Sequence, residues 1–92
     1  MTGPATGSDT APPTVDSRGR RCPLPVIDLA RAAATLPVGT TLLLLADDPA
    51  AALDVPAWCR LRGHELVESA LEPGGDGRAR RFTVRLGAGA PD

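Results

Sequence analysis

The stretch Gly39-Thr40-Thr41-Leu42-Leu43-Leu44-Leu45-Ala46-Asp47-Asp48-Pro49 decides the fold. Its apolar run, Thr40 to Ala46, lies between a glycine and an Asp-Asp-Pro turn. That is short for a helix and the right length for a buried strand. Alternation along it puts two leucines on each face, which suits a central strand. In front of it, Val26, Leu29, Ala30, Ala33 and Leu36 recur at i, i+3, i+4, i+7 and i+10. That is one stripe of a helix ended by Pro37 and Gly39. Asp28 near the helix start suits the macrodipole and a local pair with Arg31. Behind the strand, Asp48 followed by Pro49 reads as an N-cap with proline at the first helical position. A second helix is therefore expected over about Pro49 to Arg62, with Leu53, Ala57 and Leu61 as its inner stripe. A kink or break is expected at Pro56 and a stop at Gly63.

Further out, Val15 and its neighbours form a short candidate strand, and Glu65 to Ala70 a third. Glu72 to Gly77 is a turn. Phe82, Val84 and Leu86 alternate with Arg81, Thr83 and Arg85, the pattern of a half-buried strand. The order is β-α-β-α-β-β. Its economical packing is an α/β (α+β) two-layer sandwich, a four-stranded mixed sheet with two helices on one face. The other face, carrying two of the four leucines, is expected to dock a partner or a second copy.

The 92 residues divide unevenly. Residues 1–13 are mostly Thr, Pro, Gly, Ala and Ser, and cannot bury enough apolar surface to offset the entropy of ordering. They read as a disordered arm, and 87–92 as a similar tail, leaving 14–86 as the folded domain. A domain of that size has a small core and little room for a deep pocket. Its charge is close to neutral, with ten Arg, no Lys and nine acids. That gives no electrostatic case for nucleic acid or an anionic membrane. Phe82 and Trp58 are the only aromatics, so no base-stacking platform exists. No segment has the length of a membrane span, and the N-terminus has no secretory pattern. A cytoplasmic chain with reduced thiols is the expectation.

Cys22 is the residue with chemistry. It stands before a helix whose first turn contains Pro23 and Pro25, where a missing N–H breaks no intrahelical bond. Both prolines stiffen the turn that presents the thiol. The positive helix end, with Arg20 and Arg21 if they turn toward the sulfur, is expected to favour the thiolate. An ordinary cysteine is roughly one-twentieth thiolate near neutrality, and a downward shift of about one unit raises that to roughly a third. No Ser-His-Asp or Cys-His-Asn set can be read, so the site suits accepting and donating a group rather than hydrolysis. Cys59, beside Trp58 in the second helix, reads as a buried structural thiol. His64 reads as a structural hydrogen-bonding residue. Cys22, Cys59 and His64 fit no standard zinc spacing, and no metal or cofactor is expected.

The run Gly19-Arg20-Arg21-Cys22-Pro23-Leu24-Pro25 resembles the Cys-Pro-x-Pro signature of the TusA/SirA-like sulfur carriers. Similar motifs continue in order: Pro37-Val38-Gly39, Asp47-Asp48-Pro49, Asp54-Val55-Pro56, Trp58-Cys59 and Gly63-His64-Glu65-Leu66. The likeness spans about Val15 to Leu86. It implies the same β-α-β-α-β-β sandwich. It also implies that Cys22 takes sulfane sulfur as a persulfide, with Arg21, Pro23 and Pro25 in support. The donor would be a cysteine desulfurase or rhodanese-type enzyme. A downstream acceptor protein would serve tRNA thiolation, molybdenum-cofactor enzymes or sulfur oxidation. Such a chain is a persulfide carrier rather than a stand-alone turnover enzyme. The absence of Lys and the long arm depart from the family pattern and bear on docking contacts. A non-catalytic regulatory or interaction module of the same fold is the alternative. A thiol-disulfide sensor lacks a Cys-x-x-Cys partner. An RNA-binding role, suggested by a similar fold in the C-terminal domain of translation initiation factor three, has only the fold in its favour.

Overall fold

The computed structural model describes residues 12–75 and 77–87. The expected arm and tail therefore lie outside the described residues, except at their inner ends. There Pro12 accepts a bond from Thr14 Oγ1, Pro13 accepts the Leu43 N–H at 2.9 Å, and the Gly87 N–H donates to His64 Nδ1 at 3.0 Å.

In chain order the elements are β1 (Thr14–Asp16), α1 (Leu24–Ala33), β2 (Thr41–Ala46), α2 (Ala51–Arg62), β3 (Glu65–Leu71) and β4 (Arg80–Arg85). They form one four-stranded sheet in the order β1-β2-β4-β3. β1 pairs parallel with β2, with Val15 opposite Leu44. β4 pairs antiparallel with both β2 and β3, and a register shift falls between Leu66 and Glu68 in β3. The β-α-β-α-β-β mixed sheet with two helices is the architecture expected from the sequence, and the leucine run is an inner strand.

Alternation on β2 works as the pattern requires. Leu42, Leu44 and Ala46 are buried while Thr41, Leu43 and Leu45 are half-buried on the opposite face. On β4, Phe82 and Val84 join the buried set. From α1, Leu29 is fully buried, with Val26, Ala33 and Leu36 packed against the same cluster. Pro25 and Ala32 add to the stripe read from periodicity. On the open face, Leu43 and Leu45 lie among Thr83, Arg81 and Arg85, and Arg85 and Arg81 reach Glu65 and Glu72 at 3.8 and 3.7 Å.

Four local expectations need correction. The inner face of α2 is Ala51, Val55 and Cys59, not Leu53, Ala57 and Leu61. Leu53 is 77% exposed and Leu61 72%. Both sets follow helical spacing, but they lie about half a turn apart, and the smaller residues fit against the sheet. Next, α2 runs unbroken through Pro56. The third concerns Asp48, which lies two positions before the N-cap and is not itself the N-cap; Ala50 is. Its Oδ1 accepts the Ala50 N–H at 3.2 Å, shaping the turn into the helix. Last, Asp28 turns to Ser17 and Arg20 rather than pairing with Arg31.

Two glycines are required by geometry. Gly63 ends α2 in the left-handed region with φ 77°. A Cβ on Gly87 would sit 2.1 Å from the Gly63 carbonyl oxygen, so the chain end passes this helix terminus only because residue 87 has no side chain.

Candidate functional site

Because β1 and β2 are parallel and each leads into a helix, α1 and α2 both begin at the same end of the sheet. The loop between β1 and α1, residues 17–23, therefore meets the turn between β2 and α2. Carboxylates hold it there. Ser17, fully buried, donates its hydroxyl to Asp28 Oδ2 at 2.6 Å, and the Arg20 Nε donates to the same oxygen at 2.8 Å. The Gly19 N–H donates to Asp47 Oδ1 at 2.9 Å. The Cys22 N–H donates to Asp48 Oδ2.

Cys22 is exposed at the tip of this loop. The Cys22–Pro23 bond is cis, Pro23 is the N-cap of α1, and Pro25 lies buried in the first turn. The thiol is thus at the helix entry, as expected, but Pro23 caps the helix rather than opening it. Its S–H donates to Asp54 Oδ2, in the first turn of α2, at 2.7 Å.

The electrostatics reverse the sequence expectation. The Cys22 thiol is pushed up, first by its hydrogen bond to Asp54, then by desolvation and the charges of Asp54 and Asp48. A carboxylate that accepts the thiol proton favours the neutral form, and contact with it outweighs a helix end that acts more diffusely. Arg20 is committed to Asp28, and Arg21, exposed beside Asp47 and Asp48, helps hold the Asp48 carboxyl below its usual range. The two arginines thus serve the acids that position the loop.

Cys59 is buried in α2, and burial pushes its thiol up to about 11, which makes it inert as a nucleophile. His64 accepts from Gly87 and lies with its ring 4.7 Å from that of Trp58. Among the described residues no group of three or more His, Cys, Asp or Glu is placed to hold a metal ion, and no helix is long and apolar enough to cross a membrane. Next to Cys22, Pro23 at the cap of α1, Val26 of α1, and Ala57, Trp58 and Leu61 of α2 line a shallow apolar recess, with Asp54 at its edge.

Reading along the chain named Asp28, Asp47 and Asp54 but not their contacts with the thiol loop. The signal was the topology. Two helices after two parallel strands bring residues 17–23 against residues 47–54, and acids there must face the loop.

A family model described as Sulfurtransferase TusA matches residues 13–84, nearly the whole of the folded chain. The chain belongs to the TusA sulfurtransferase family. Among solved structures, a SirA-like protein from Desulfitobacterium hafniense is similar at TM-score 0.69 and 25% identity. The match covers 80% of this chain and 96% of that one. In this member of the TusA family the exposed thiol, Cys22, stands on a braced loop beside a shallow recess.

Proposed function

We propose that this chain is a sulfur carrier that accepts sulfane sulfur as a persulfide on Cys22 and relays it to an acceptor protein. The observation that carries the reading is the Cys22 thiol. It is exposed, held by its own backbone N–H on Asp48, and donates its S–H to Asp54. Cys59 is too buried to compete. Pro23 and Pro25 fix the helix start behind the thiol, and Arg21 supports Asp48. The shallow recess beside Cys22 leaves access for another protein's reactive sulfur. The donor class is a cysteine desulfurase or a rhodanese-type enzyme. The acceptor belongs to tRNA thiolation, molybdenum-cofactor assembly or sulfur oxidation.

The test is intact mass after incubation with a cysteine desulfurase and cysteine, before and after a reductant. The expected result is a reducible gain of one sulfur atom, present in Cys59→Ser and absent in Cys22→Ser. No gain with several donor enzymes would overturn the reading in favour of a non-catalytic interaction module.

A further inference from the structure

Resting on the carrier reading, the geometry points to Asp54 as a second catalytic residue, the base that takes the Cys22 thiol proton as sulfur is loaded. Three observations meet here. Asp54 Oδ2 is 2.7 Å from Sγ, within reach for direct proton transfer. Asp54 sits on α2, an element that shares no local chain with Cys22, so the contact is made by the tertiary fold and not by the loop itself. Of the two nearby acids, Asp48 is already occupied by the N–H groups of Cys22 and Ala50, which leaves Asp54 as the one aimed at the sulfur. The only histidine, His64, is bound to Gly87 and does not serve.

The step balances without an outside oxidant. The donor presents R–S–SH. The Cys22 sulfur attacks the terminal sulfur, a new S–S bond forms on Cys22, and the donor S–S bond breaks with its electron pair leaving on the donor sulfur. The thiol proton moves to Asp54 Oδ2 and then to the departing donor thiolate. The products are R–SH and Cys22–S–SH, and one sulfane sulfur has moved. Between loadings the same carboxylate keeps the thiol protonated. Asp54 thus makes Cys22 sluggish toward general electrophiles while serving the one reaction in which the proton must leave.

That pairing makes two rates move in opposite directions. Full-length wild-type and Asp54→Asn chains are compared by alkylation of Cys22 with iodoacetamide at neutral pH, read by peptide mass. They are also compared by loading from glutathione persulfide, which requires no docking surface. Asp54→Asn is expected to speed alkylation several-fold and to slow loading about ten-fold or more, as loss of a general base does. Circular dichroism melts check that the variant folds, and Asp54→Glu restores part of the loading rate. Loading in Asp54→Asn as fast as in wild type, or faster, overturns the inference while leaving the carrier reading intact. A wild-type chain that takes up no sulfur from this donor or from a desulfurase overturns both.

Discussion

The Cys22 backbone N–H and the Asp48 carboxylate are bonded to each other, and the same carboxylate holds the Ala50 N–H through its second oxygen. One side chain thus ties the thiol loop to the entry of α2. Those bonds hold Asp48 below the usual carboxylate range, the bond from Cys22 first. A lowered carboxylate contributes stability that is present above its unfolded value of 3.8 and lost as pH falls through its folded value. Asp48→Asn is therefore expected to lower the melting temperature at neutral pH and to flatten its fall on acidification below pH 4. A series of thermal melts from pH 7 to about pH 2 checks both, the range set by carboxylate titration.

Ser17 is the one buried polar residue of the described core, and its hydroxyl is satisfied only by Asp28. Replacing it with alanine removes a bond to a charged group and leaves Asp28 with Arg20. Ser17→Ala is expected to cost about 1–3 kcal/mol. For a domain of this size each kcal/mol moves the melting temperature by about 4–8 °C. Denaturant unfolding with an unchanged slope would assign the loss to stability alone.

The two faces of α2 give a direct contrast. Val55 is fully buried, whereas Leu53 and Leu61 are exposed. Val55→Ala is expected to destabilise by about 2 kcal/mol. Leu53→Ala and Leu61→Ala should stay within about 0.5 kcal/mol. Equal losses at Val55 and Leu61, read by urea unfolding, would mean the helix is rotated from the face described.

His64 accepts the Gly87 N–H on Nδ1 and is held neutral, its value lowered by burial and then by Arg62. The folded value lies below the unfolded 6.5, so the unfolded state binds the proton more readily. Stability from this group is present above pH 6.5 and falls as pH drops through the folded value. Trp58, the chain's single tryptophan, lies against the ring and reports the change. Its fluorescence is expected to titrate with a midpoint below 6.5, and to lose that dependence in His64→Gln.

Most of the fold was legible because each β2 residue obeys a single constraint. Leu42 and Leu44 face the helices, Leu43 and Leu45 face away, and the flanking Gly39 and Asp47-Asp48-Pro49 leave no other length for the strand. The stripe of α1 was legible for the same reason. On α2, two candidate stripes of equal spacing competed. Hydrophobic size pointed to Leu53 and Leu61, but the close approach of helix to sheet took Ala51, Val55 and Cys59. At the site, Cys22 and its prolines stood out locally. The reversal of its electrostatics did not, because Asp54 lies 32 positions away and reaches the sulfur only through helix packing.

The residues that tie down the thiol loop from the β2–α2 region are distant in the chain. Asp47 lies 28 positions from Gly19, Asp48 lies 26 from Cys22, and Asp54 lies 32 from Cys22. A nascent chain emerging in order exposes Cys22 well before Asp54 has been made. Until α2 docks, that cysteine is an ordinary thiol, free of the carboxylate that holds its proton. Quiescence of the sulfur is thus acquired with the tertiary structure, and a chain that loses its fold also loses its restraint on oxidants and alkylating agents.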